Sequence, residues 1–179
     1  TRSNQLYKLF TAAYPEIVNG EHTHERYGRE YVEDGNNDAI EPLSIENLGD
    51  FQYDADTYSF MYWYVQNGDV MRDPDYVFTL DHENQELHVM EYQIDGVPPV
   101  GTYYNSVVQS DRTIDKKLQA SLESSFLSTL KNTLEYKRNL SEYTDKDGNV
   151  TELEENIQRI ENNTEEVNDE SAVYRKTLN

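Results

Sequence analysis

The sequence contains no cysteine. Disulfides, thiolate nucleophiles and thiolate zinc sites are therefore excluded. A cytoplasmic setting is compatible with that absence and is the expected localisation. Long apolar runs are missing too. None approaches the roughly 20 residues that a helix needs to cross a bilayer, so no membrane span is expected. No secretory leader is visible, although the first residue is Thr1 rather than Met, which leaves room for a segment ahead of it. There is no Gly-rich phosphate loop, no G-x-S-x-G elbow and no dinucleotide fingerprint. The balance of expectation is accordingly against an enzyme.

Positive charge is also scarce. Fifteen Lys and Arg face 35 Asp and Glu, for a net charge of −20. Residues 1–110 carry 20 acids and 5 bases, whereas residues 111–140 carry 4 acids and 6 bases. Residues 141–170 are again strongly acidic, with 11 acids and 2 bases. Such a surface repels nucleic acid and anionic membranes and favours cations or basic partners. The expected partner is a basic protein or a nucleic-acid-binding protein, with no direct contact to nucleic acid or membrane. Carboxylates at phosphate-like spacing would let the chain occupy a DNA-binding groove as a mimic. The alternative is an acidic surface that serves only solubility.

Apolar residues make up 36% of the chain, below the roughly 45–50% usual for globular proteins when Gly is counted. Fifteen tyrosines supply part of the deficit, since each buries a ring and keeps a polar tip. Aromatic content of this order argues against wholesale disorder.

The most apolar stretch runs from Tyr58 to Ile94 and reads as an antiparallel meander. Tyr58–Gln66 alternates Phe60, Tyr62 and Tyr64 against Met61, Trp63 and Val65, the pattern of a central strand. Asn67-Gly68 predicts a type I′ turn. Pro74, with no N–H to donate, sets the start of the next ladder, giving a second strand over Asp75–Leu80. Glu86–Ile94 is the third strand, closed by Gly96 and Pro98-Pro99, and Thr102–Val108 is a candidate fourth. Leu43–Leu48 reads as a strand or a helical turn, and Arg29–Asp34 as a short strand.

Leu6, Leu9, Phe10 and Ala13 fall on one helical face within residues 4–14, with Ser3 or Asn4 as cap and Pro15 as terminator. Residues 113–137 form a long helix with a stripe of Ile114, Leu118, Leu122, Phe126, Leu130 and Leu134, capped by Asp111 or Thr113. Thr151–Asn168, with Thr151-x-x-Glu154 as a capping box, is an acidic second helix. The expected fold is α+β: an antiparallel meander sheet of four to six strands. The N-terminal helix and the 113–137 helix pack on it, with an acidic C-terminal helix trailing. Residues 1–140 form one domain in this reading, and 141–179 an acidic helix and tail.

Few residues stand out chemically. Asp69, Arg72, Asp73 and Asp75 cluster at the first meander turn and are the candidate binding residues. Their structural reading is an Arg held by carboxylates and an Asp capping the turn. Asp145, Asp147 and Asn149 occupy the first, third and fifth positions of an EF-hand-like run and are the candidate metal ligands, for calcium. Val150, Glu152 and Asn156 then break that pattern, and a polar turn is the preferred reading. His22, His24 and Glu25 place three potential ligands together without a recognised zinc framework. His82 and His88 flank the second meander turn, and His88, beside Met90 and Tyr92, is expected to be a half-buried, satisfied imidazole.

The run Gly68-Asp69-Val70-Met71-Arg72-Asp73-Pro74-Asp75-Tyr76-Val77-Phe78 resembles an uncharacterised domain family of small proteins from plasmids, conjugative elements and phages. The similarity covers Tyr58 to Val108. It implies a bacterial mobile-element setting and transfers no catalytic residue. The expected function is a non-enzymatic interaction protein acting through an acidic surface. One alternative is a ligand-binding or enzymatic domain with a pocket between the meander and the 113–137 helix, lined by Tyr62, Trp63 and Tyr64. Another is a structural accessory with no site.

Overall fold

A computed structural model of the chain describes residues 1–18 and 41–137, together with the backbone of 142–144 and 150–152. Side chains are described for these except at positions 16, 135–137, 142–144 and 150–152. The fold is α+β. Helix α1 spans Arg2–Ala13 and is followed by the single turn α2, Pro15–Val18. Five strands follow: β1 Leu43–Gly49, β2 Asp56–Gln66, β3 Asp69–Asp81, β4 Glu86–Val97 and β5 Gly101–Ser106. Helix α3, Lys116–Lys137, comes next, and a small hairpin of β6 Glu142–Thr144 and β7 Val150–Glu152 ends the described chain. The strands form one antiparallel sheet in sequence order, β1-β2-β3-β4-β5.

Period-2 alternation sorts the sheet into two faces. Tyr58, Phe60, Tyr76, Phe78, Leu80, Leu87 and Val89 turn to one face and are almost wholly buried. Both long helices cover that face. Phe10 of α1 meets Phe78 at 4.9 Å between ring centroids and Tyr58 at 5.7 Å. Phe126 of α3 meets Phe60, Tyr76 and Phe78 at 5.2, 4.9 and 5.1 Å. Each buried ring is worth about 1.5–3 kcal/mol by area alone, before the edge-on ring contacts add to it. The predicted faces of α1 (Leu6, Leu9, Phe10, Ala13) and of α3 (Leu122, Phe126, Leu130, Leu134) are the buried ones.

Several boundaries differ from expectation. Thr1, not Ser3 or Asn4, caps α1 by accepting from the Asn4 N–H. Helix α3 begins at Lys116 because Asp115 caps it, accepting from the Leu118 N–H at 2.9 Å; Asp111 instead closes a local turn with Thr113. Ile114 stays 41% exposed and outside the stripe. The Asn67-Gly68 turn has both residues at positive φ, as a type I′ turn requires.

Strand β3 starts at Asp69, six residues before the expected Asp75. Pro74 does not stop the ladder because it sits in a bulge: Met61 pairs with Asp75 and Trp63 with Arg72, so β3 carries one extra residue there. A second bulge puts an extra Met90 into β4 opposite Val77/Phe78. Strand β4 runs through Gly96 to Val97, and the reversal falls on Pro98–Val100. Strand β5 ends at Ser106, before the expected Val108.

Thr151 and Glu152 lie in β7, paired with Tyr143 and Glu142, so the acidic helix does not begin at Thr151. The remainder of Thr151–Asn168, the Arg29–Asp34 strand and most of the loop around it lie outside the described residues.

Candidate functional site

The face turned away from α1 and α3 has the opposite chemistry. The strand registers lay its side chains out in rows. One row runs Glu46, Ser59, Val77, Glu91, Ser106 from β1 to β5. The next runs Ser44, Met61, Asp75, Gln93, Tyr104. Beyond it Trp63 pairs with Arg72, and Arg72 reaches Asp95. Among the described residues, Glu46, Asp75, Glu91 and Asp95 therefore share this face with the Arg72 guanidinium.

Hydrogen bonds tie the rows together. Ser59 Oγ donates to Asp75 Oδ1 at 2.6 Å. The Trp63 indole N–H donates to Ser44 Oγ at 2.9 Å. Tyr104 donates to Glu91 Oε1 at 2.5 Å, and Tyr53, from the β1–β2 connection, donates to the other oxygen of the same carboxylate. Gln93 and Thr102 both donate to Asp95 Oδ1, at 3.2 and 3.0 Å. The Arg72 backbone N–H donates to Asp95 Oδ2 at 2.9 Å. The Arg72 side chain stands 3.8 Å from Asp75 and 3.5 Å from Asp95.

This environment separates the acids. Burial pushes the Asp75 carboxyl up to about 6, against the pull of Ser59 and Arg72, with Glu46 and Glu91 adding repulsion. Asp95 is held below its ordinary value: burial alone would raise it, but the Arg72 N–H, Gln93 and Thr102 outweigh that. Burial and the Glu91 carboxylate raise both tyrosine hydroxyls beside it, Tyr104 to about 12 and Tyr53 further. Asp75 is thus a carboxylate held in a site that disfavours its charge, the kind of group that clusters where proteins bind or react.

The structure divides the sequence-predicted set. Arg72 and Asp75 meet, because the extra residue of the bulge lets positions three apart share a face. Asp73 turns to Glu41 instead; burial and the hydrogen bond to Asp73 raise Glu41 to about 7. Asp69 lies exposed where β3 leaves the turn. Glu46, Glu91 and Asp95 were missed by the sequence reading. Their signal is the alternation of Glu91, Gln93 and Asp95 with Met90, Tyr92 and Ile94, polar at every second position of β4.

The proposed pocket lining does not converge. Tyr62 faces α3, bonding Thr133 at 2.5 Å, while Trp63 turns to the opposite face. Tyr64 comes up against Gly96, where an added Cβ would stand 2.8 Å from its hydroxyl. His82 bonds Tyr7 at 2.7 Å and Asp56 at 2.9 Å, pinning α1 to the sheet. His88 stands between Glu86 and Glu123, at 3.2 and 3.7 Å. Asp145, Asp147, Asn149, His22, His24 and Glu25 lie outside the described residues. Among the described residues no group of three potential ligands is placed to hold a metal, and no helix is long and apolar enough to cross a membrane.

Fold and site together define an α+β protein with a single meander sheet, one face a helix-covered aromatic core and the other a tied array of carboxylates. The model of the family described as Domain of unknown function (DUF6908) matches residues 16–138, and the chain belongs to that family. The match contains the Gly68–Phe78 run that resembled an uncharacterised domain family. No curated protein and no solved structure matches the chain.

Proposed function

We propose that this chain is a non-enzymatic interaction protein that receives a basic partner on the carboxylate face of its sheet. The observation that carries the reading is the gathering of Glu46, Asp75, Glu91 and Asp95 on one face, with Arg72 paired to Asp75 and Asp95. Asp75 is already raised toward neutrality by burial and its neighbours, so an incoming cation relieves a repulsion that exists before binding. Trp63 and Tyr104 flank the acids and offer ring faces to a guanidinium. A nucleic-acid-binding protein, whose groove is lined for phosphates, falls within the same partner class. The mobile-element and bacterial cytoplasmic setting rests on the resemblance of Gly68–Phe78 and belongs to the proposal, not to the geometry.

The test is capture of partners from a bacterial lysate by the full chain, compared with a Glu46→Gln/Glu91→Gln variant, each at low and high salt. Bound basic proteins are expected to fall away with salt, because exposed charges are screened within roughly 8 Å at physiological ionic strength and less above it. They are expected to fall away in the variant as well. Capture that ignores both salt and substitution would overturn the reading.

A further inference from the structure

Charge is distributed over this sheet with two gaps, Thr57–Gly68 on the interior strand β2 and a longer one at an edge. From Gly96 to Ser110 the chain runs 15 residues without an Asp, Glu, Lys, Arg or His, in a protein that is 28% charged. That gap falls on β5, which among the described residues is an edge strand paired only with β4. Gly101, Thr102, Tyr103 and Tyr104 are exposed, the two tyrosines at 49% and 51%. The register against β4 is regular from Ser106 to Tyr103. Natural sheets protect an edge with charge, proline or a bulge, since its unpaired N–H and C=O groups otherwise recruit another strand. Between Tyr103 and Ser106 β5 uses none of these. The other edge, β1, carries Glu46.

We propose that the free edge of β5 pairs antiparallel with β5 of a second copy of this chain, continuing the sheet across a two-fold axis. The occupant follows from charge. A basic partner gains nothing from an uncharged strand and is drawn to the carboxylate face. A second copy, at −20 overall, meets little repulsion where the sequence has been cleared of acids. The nearest carboxylates, on β4, stand one strand back. Across the seam the two β4 strands lie three strand spacings apart, about 14 Å, beyond the roughly 8 Å screening length at physiological salt. With the axis perpendicular to the sheet, each face continues into its counterpart: the helices stay on one side, and the two carboxylate faces join on the other. A six-residue seam belongs with small, weak interfaces, so the dimer dissociates on dilution. This inference rests on the edge, not on the acidic face, and the two respond oppositely to salt. Self-association holds or strengthens as salt rises, whereas a basic partner is released.

Sedimentation equilibrium of the full chain from about 10 μM to about 1 mM is the test, with Tyr103→Lys and Tyr103→Phe alongside. The expected result is concentration-dependent dimer in the wild type and in Tyr103→Phe. Tyr103→Lys, which sets cations against each other in the seam, should weaken it about tenfold or more while leaving capture of basic partners intact. A monomer throughout, or a dimer indifferent to Tyr103→Lys, overturns the proposal. Hydrogen exchange on the wild type does not depend on the variant folding: the amides of Thr102–Ser106 should exchange more slowly as concentration rises, and concentration-independent exchange there overturns it equally.

Discussion

The two faces of this sheet are made from the same strands, often from adjacent residues, yet they are opposite materials. On β3, Tyr76 is sealed under α3 while Asp75 beside it lies among carboxylates. The helix-covered face gains its energy from area and close ring packing. The other face holds its acids in place with hydroxyl, amide and guanidinium donors, and keeps one of them partly against its electrostatic preference. Stability is thus concentrated on one side and recognition on the other, so substitutions on the two sides should have effects of opposite sign.

The strongest way to break that contrast is Phe126→Ala. It empties a position touching three aromatic rings and should destabilise the fold by about 3–5 kcal/mol in chemical denaturation; a cost below about 1 kcal/mol would mean that α3 is not the keystone of the covered face. Asp75→Asn should act in the other direction. The folded carboxyl titrates at about 6 instead of 3.8, so the folded state binds the proton more tightly than the unfolded one. The stability that Asp75 gains on protonation is present below the ordinary carboxylate pKa and is lost as pH rises through about 6. Asparagine removes that loss, and denaturation at pH 7.5 should show a gain of about 3 kcal/mol that shrinks toward nothing near pH 4. A destabilised variant at pH 7.5 would remove the idea that this acid is held at a cost.

Smaller effects sharpen the boundary between the faces. Asp115→Ala removes the cap of α3 and should cost about 1 kcal/mol, read as a shift in the denaturation midpoint with the slope unchanged. His88 lies where β4 meets α3, and the Glu123 carboxylate 3.7 Å away does most to raise it above the ordinary 6.5, with burial opposing. Its contribution to stability is therefore full below 6.5 and fades as pH rises through the raised value. An NMR titration should place its midpoint above 6.5 and return it toward that value in Glu123→Gln.

The sequence made the covered face readable and left the other face obscure, for a physical reason. Burial of an aromatic core leaves periodic marks: Leu6, Leu9, Phe10 and Ala13 on α1, and the four-residue stripe of α3. A polar array assembled from four strands leaves no local motif, because Glu46, Asp75 and Glu91 meet only through register. The Pro74 and Met90 bulges set that register, and a bulge is invisible to a rule that reads proline as a strand boundary. Arg72 and Asp75 were legible as a pair since they are close in sequence. Their partner Asp95 arrives from β4, 20 residues beyond Asp75. The caps were misplaced by a few positions because Thr1, Ser3 and Asn4, or Asp111, Thr113 and Asp115, are chemically equivalent candidates until the backbone chooses.

Helix α1 carries a practical consequence. It ends at Ala13, while the family match opens at residue 16; the matched stretch and the folded stretch have different borders. Expression of residues 16–138 alone would strip Phe10 from Tyr58 and Phe78, take Leu6 and Leu9 out of the core, and leave an open aromatic trough. Such a fragment should be prone to aggregate however well its edges agree with the family, and work on related chains should start upstream of the recognised region.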